Sequence, residues 1–237
     1  MSRFRGWIIG TVLVLGVLSN TAYAQIHHRD YELNIFGGGA WYSAKDFVIG
    51  FPQSPTLIFG EFKLDRAIRG GVRFNVYTHG HWSEEFFYSY EPNKAHFVRP
   101  GSSLVLDLKV SNLGVNALYY FHDDEASHIR PFVSAGLGAS IYQLTSLAKT
   151  IALDPAQGNL GDIDSSGVIA FNYGVGFKAR VASWIGFRVD ARGFVAPVPK
   201  FSLPGRSTDP SAPVFPAGGA MNTGEASAGV IFYFGKH

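Results

Sequence analysis

Three short stretches of the chain carry residue types that do chemistry. His79-Gly80-His81-Trp82-Ser83 offers two imidazoles and a hydroxyl, the makings of a metal pair or of half an acyl-hydrolase site. Two histidines two residues apart with no third ligand are a weak zinc signal, and the stretch reads as a solvated turn. Asp162-Ile163-Asp164-Ser165-Ser166-Gly167 begins like a calcium loop, but the position where an EF-hand requires Glu is occupied by Tyr173. His122 to His128 (HDDEASH) is a charge run of the kind found in solvated turns. The chain has no cysteine, so neither a thiolate metal site nor a disulfide framework can form. No catalytic residue, cofactor or metal is expected from these motifs.

The concentrated charge lies elsewhere, in FNYGVGFKARVASWIGFRVDARGF (Phe171 to Phe194). There Lys178, Arg180, Arg188, Asp190 and Arg192 stand among aromatic and aliphatic residues. The positions separate by parity. Ile169, Phe171, Tyr173, Val175, Phe177, Ala179 and Val181 are apolar; Ala170, Asn172, Gly174, Gly176, Lys178 and Arg180 are small, polar or charged. After Ala182-Ser183-Trp184 the parity resumes, with Ile185, Phe187, Val189 and Ala191 apolar and Gly186, Arg188, Asp190 and Arg192 not. A period of two is that of a β-strand, whose successive side chains point to opposite faces. The stretch therefore predicts an antiparallel hairpin with one apolar and one charged face.

The same rhythm recurs over roughly 31–42, 67–77, 82–91, 131–142, 225–234 and a segment ending near Phe121. With the hairpin this makes eight strands, each near the ~9–11 residues that cross a bilayer at a tilt. Glu84 falls on the apolar parity. In the segment before Phe121 the parity slips at Ser111, from Leu104, Leu106, Leu108 and Val110 to Leu113, Val115, Ala117 and Tyr119. A β-bulge, or a strand running beyond the membrane, accounts for the slip.

At the N-terminus, Arg3 and Arg5 precede an apolar run from Trp7 to Leu18 and the small-residue pattern Ala22-Tyr23-Ala24. This is the layout of a secretory leader, which puts the leader at 1–24, cleavage near Ala24/Gln25 and a single barrel domain at 25–237. Without Arg3 and Arg5, eighteen of the twenty basic residues remain, equal to the eighteen acidic ones. No basic footprint for nucleic acid survives. The connections alternate in length. Long ones fall at about 43–66, 92–103, 143–168 and 195–224, and short ones at 78–81, 122–130 and 182–184. Four long outer loops and three short periplasmic turns describe an all-β, eight-stranded antiparallel up-and-down transmembrane β-barrel. SLAKTIAL in the third long loop suits a short helix or a strand extension. The six prolines between Pro197 and Pro216 predict an extended fourth loop.

A membrane-spanning sheet must close, because an unsatisfied backbone group in hydrocarbon costs several kcal/mol. The apolar parity then faces lipid, and the polar parity faces a lumen only just wide enough for side chains. Glu32, Arg69, Arg73, Glu85, Lys178, Arg180, Arg188, Asp190, Arg192 and Glu225 are expected to meet there as a salt-bridged network. Aromatics at the strand ends are expected to form two girdles: Tyr77, Trp82, Tyr119, Phe187, Phe232 and Phe234 toward the short turns, and Trp41, Tyr90, Tyr142 and Phe194 toward the long loops.

The final hairpin and the closing GVIFYF (Gly229 to Phe234) resemble those of the small OmpA-like and OmpX/OmpW-type outer-membrane β-barrels. The resemblance implies a non-enzymatic structural or adhesive surface protein, inserted among outer-membrane lipids with the help of periplasmic chaperones and the barrel-assembly machinery. Its loops would be free to take an external ligand. The chain departs from the family where Gly235-Lys236-His237 follows the terminal aromatic, Phe234. The competing roles are a narrow pore, which needs a continuous aqueous path; a lipid-modifying barrel enzyme, which needs its Ser, His and acid in the outer leaflet; and a soluble ligand-binding barrel, which would reverse the two faces.

Overall fold

Alternating apolar and polar residues cannot form a stable helix face, and each stretch with that rhythm is a strand. The structure, a computed structural model, describes residues 31–49, 58–99, 102–122, 128–154, 163–203 and 219–234. The leader expected at 1–24, the acidic part of the 122–128 turn, Asp162, the prolines from Pro204 to Pro216 and the Gly235–His237 tail lie outside these residues. The elements are β1 (Tyr31–Tyr42), β2 (Lys45–Ile49), β3 (Ile58–Leu64), β4 (Ala67–His79), β5 (Trp82–Arg99), β6 (Ser102–Tyr120), β7 (Ile129–Leu144), α1 (Ser146–Leu153), β8 (Ser166–Ala182), β9 (Ile185–Pro197) and β10 (Ala220–Phe234).

All neighbouring strands are antiparallel. β4, β5, β6, β7, β8, β9 and β10 follow one another around the wall, and β1 closes it by pairing with both β4 and β10. Every central strand thus finds partners on both sides, and the barrel has no edge for hydrocarbon to meet. β2 and β3 are a hairpin that extends the wall above β1 and β4, with β3 pairing on to β5.

Two expectations about loops are corrected. Residues 92–99 and 102–103 are strand, not loop: β5 and β6 run on as 18- and 19-residue strands, paired as far as Arg99 and Ser102. The first connection likewise contains a hairpin. SLAKTIAL is a helix, α1, whose first turn is capped by the Thr145 hydroxyl accepting from the Ala148 N–H at 3.1 Å.

The parity slip at Ser111 is no bulge either. The ladders of β6 with β5 and β7 keep register straight through it, and the even positions of β6 face inward from Leu104 to Tyr120. What changes is the medium on each side. Above Ser111 the outward residues Asp107 and Lys109 are charged, and the inward ones, Leu104 to Val110, are apolar. Below it the outward residues suit lipid and the inward ones are polar. The strand therefore leaves the hydrocarbon near Tyr90 and Ser111 and continues about ten residues beyond.

A packed apolar core fills this protruding part of the barrel. Phe62, Phe97, Leu106, Leu108, Tyr142 and Met221 form it, α1 contributes Ala148 and Ala152, and Phe201 packs onto it. Phe201 and Ser202 are both left-handed, at φ 50° and 66°. That conformation is costly for a bulky residue. Here it turns the chain so that the Phe201 ring drops onto Phe62, Phe97 and Tyr142.

Arginine placed at Leu137, outward-facing at mid-strand, is expected to cost about 2–4 kcal/mol of folding stability in lipid vesicles. Arginine at Val105, outward-facing on the protruding part of β6, is expected to cost less than about 1 kcal/mol. Urea titration of the two variants in vesicles checks the difference.

Candidate functional site

Polar side chains crowd the lumen because alternate positions of all eight wall strands point there and nowhere else. Charge reaches it from β1 (Glu32), β4 (Arg69, Arg73), β5 (Glu85, Glu91), β7 (Arg130), β8 (Lys178, Arg180), β9 (Arg188, Asp190, Arg192) and β10 (Glu225). Small residues make the room. A methyl on Gly176 would sit 2.5 Å from the Asp190 Cβ and 2.8 Å from the Phe132 ring, so β8 can lie against this network only with glycine there.

The central layer is a continuous network of ion pairs. Glu85 accepts from Arg188 Nη1 at 2.5 Å and from Arg192 Nη2 at 2.6 Å. Asp190 accepts from Arg188 Nη2 and Arg192 Nε, both at 2.9 Å, and from Arg73 Nη1 at 3.1 Å. Arg73 reaches on to Glu225 at 2.8 Å, and Glu225 takes Arg69 Nη1 at 3.0 Å. Arg69 Nε ends the chain on Glu91 at 3.1 Å. Four guanidiniums thus face four carboxylates from opposite walls, β4 and β5 against β9 and β10. Ser227 donates to Asp190 at 2.7 Å and Asn116 to Glu85 at 3.0 Å. The Phe36 ring lies 3.5 Å from the Arg73 guanidinium carbon, and Phe132 lies 4.5 Å from that of Arg188.

A second layer lies toward the short turns. Lys178 is bonded to Glu32 and donates to the Tyr120 hydroxyl at 2.7 Å. Tyr77 donates to Glu32 at 2.9 Å and accepts from Arg130 Nη1 at 2.8 Å. Arg180 faces the same space, its guanidinium carbon 4.4 Å from the Tyr233 ring. Of the ten residues read from sequence as the lumen network, nine enter these ion pairs. Arg180 makes no ion pair among the described residues.

The girdles need correction. Trp41, Trp82, Tyr90, Phe187 and Phe234 are exposed on the outer wall, with Tyr119 and Phe232 half-buried beside them. Tyr77, Tyr142 and Phe194 point inward instead. Each sits on its strand's lumen parity: Tyr77 with Arg69 and Arg73, Phe194 with Arg188 and Arg192, and Tyr142 with Ser134 and Ser140. Tyr77 serves the second layer, Phe194 lies 5.5 Å under Arg69, and Tyr142 joins the apolar core. Tyr42 is also inside, bonded to Glu91 and accepting from Arg69 at 2.8 Å. Sequence reading missed Arg130, taken as the end of a turn, although its even position is in phase with Phe132 and Ser134. It also left Glu91 and Tyr42 out of the network.

The outer wall is split at the upper rim of the bilayer band. The β1–β4 ladder stops at Ala40 and Ala67 and resumes as β2–β3 at Lys45 and Phe62. β1 stays with β10, where Ser43 donates to the Asn222 carbonyl at 2.8 Å. A groove of about 560 Å³ opens there between Trp41 and Ile68, with Arg66 beside it.

No protein-family model matches the sequence, and no curated protein matches it. Solved structures do. The crystal structure of the outer membrane protein OprG from Pseudomonas aeruginosa superposes with a TM-score of 0.57 at 13% identity, over 86% of this chain and 95% of that one. The outer membrane protein AlkL, solved by solid-state NMR in DMPC lipid bilayers, superposes with a TM-score of 0.53 at 14% identity, over 91% of this chain and 95% of that one. The chain has the fold of the small eight-stranded outer-membrane barrels. At these identities the likeness carries the architecture alone; the lumen of this barrel has to be read from its own residues.

Removing one member of a buried ion pair leaves its partners charged and unpaired, at a cost of about 3–5 kcal/mol. Glu85→Gln is expected to destabilise the barrel by that order, since it strands Arg188 and Arg192 together. Glu85→Leu combined with Arg188→Met should recover a large part of the loss. Equilibrium unfolding in vesicles measures both.

Proposed function

We propose that the chain is an outer-membrane β-barrel with a structural or surface-interaction role and a lumen closed to solutes. The cross-lumen run from Arg69 through Glu225, Arg73 and Asp190 to Arg188 and Glu85 carries this reading. Its members are almost wholly buried, and each is ion-paired to at least one other member. A permeating ion would have to part several charge-assisted bonds at once. The exposed apolar wall supports a membrane location. The leader read at 1–24 supports export, with cleavage near Ala24 and insertion by periplasmic chaperones and the assembly machinery. The long-loop end, raised on β5 and β6, would face outward and meet an external ligand.

In planar bilayers the barrel is expected to show no resolved single-channel steps, whereas Arg73→Ala with Glu85→Ala should introduce them. Steady conductance from the unaltered protein would favour a pore.

A further inference from the structure

The two charged layers of the lumen are not balanced alike. In the central layer Arg69, Arg73, Arg188 and Arg192 face Glu85, Glu91, Asp190 and Glu225, and the charges cancel. In the layer near the short turns, three cations (Arg130, Lys178 and Arg180) share one carboxylate, Glu32, among the described residues. Arg130 and Lys178 are almost entirely buried. Buried charges need a counter-charge, because low dielectric magnifies repulsion that water would screen.

The surplus has a direction. Arg130 spends only Nη1, on the Tyr77 hydroxyl. Its Nε and Nη2 are buried with no hydrogen-bond partner among the described residues, an arrangement native proteins avoid unless something fills the place. A cavity of about 10 Å³ lies among Glu32, Tyr77, Arg130, Lys178, Arg180 and Tyr233. That is room for about one water-sized particle. Glu32 accepts from Lys178 and Tyr77, and neither Arg130 nor Arg180 is ion-paired to it.

We infer that this cavity is a binding site for a small monatomic anion such as chloride, held by Arg130 and Arg180 at the short-turn mouth of the barrel. Two fixed guanidiniums select for negative charge, and the volume selects against phosphate. Tyr233 lines the same cavity, while the Tyr77 hydroxyl proton is committed to Glu32. The ion neutralises part of the surplus and so stabilises the fold as a bound ligand does, in proportion to its concentration over its dissociation constant.

Bromide, a heavier stand-in for chloride, tests the inference. Crystals of the full folded barrel grown in bromide should give an anomalous peak within hydrogen-bonding range of Arg130 Nη2, and Arg130→Gln should abolish it. In detergent, at ionic strength held constant with gluconate, chloride should raise the unfolding temperature along a saturable curve. The midpoint should move to at least about tenfold higher chloride in Arg130→Gln or, if that variant does not fold, in Arg180→Gln. No peak, a peak that persists in Arg130→Gln, or equal stabilisation by chloride and gluconate would overturn the site and leave the cavity to water. None of these results bears on conductance through the central layer.

Discussion

A pleated strand gives its side chains only two destinations, and in a closed barrel these are two different solvents. Once the wall closes through β1 and β10, each residue's parity decides whether it meets acyl chains or the lumen. Everything else follows from that division. The outer face can hold Leu137, Val175 and Val189 only because hydrocarbon lies there. The inner face can hold Arg188, Asp190 and Arg192 only because they meet partners from the opposite wall.

The inside of the barrel is itself divided along its axis. A cation-rich layer near the short turns gives way to a neutral network of ion pairs, and that to a packed apolar core lifted out of the bilayer on β5 and β6. The sequence pays for this order with glycine at lumen positions, where Gly176 lets Asp190 and Phe132 close over β8. The ion-pair network lies between the cation-rich layer and the apolar core. Its worth is specificity of register more than gross stability, because desolvating eight charges consumes much of what their attraction returns.

Much of this was legible in the chain. Strict alternation placed all eight wall strands, and the polar parity named nine residues that enter the buried ion pairs. What escaped has physical causes. Residues 92–103 read as a loop because both faces of the strand change character there: Pro92 and Lys94 point outward while Ala95 and Phe97 point inward, which inverts the rule that holds inside the membrane. Tyr77, Tyr142 and Phe194 were assigned to the girdles because an aromatic ring suits either face; only their phase with Arg69, Ser140 and Arg192 tells them apart. Arg130 hid beside Pro131 at a strand start. Pairing between particular charges, such as Glu85 with Arg188 across the lumen, depends on barrel closure and has no signature in local sequence.

Orientation of the two faces is best tested by site-directed spin labelling, which the absence of native cysteine makes clean. Nitroxides placed singly at Val175 and Val189 should be relaxed by oxygen dissolved in the bilayer and spared by an aqueous nickel chelate. At Asp107 the preference should reverse, and at Ser134 neither reagent should reach the label. A label at Val175 or Val189 relaxed by the nickel chelate, with Ser134 relaxed by oxygen, would contradict the assignment of the two faces.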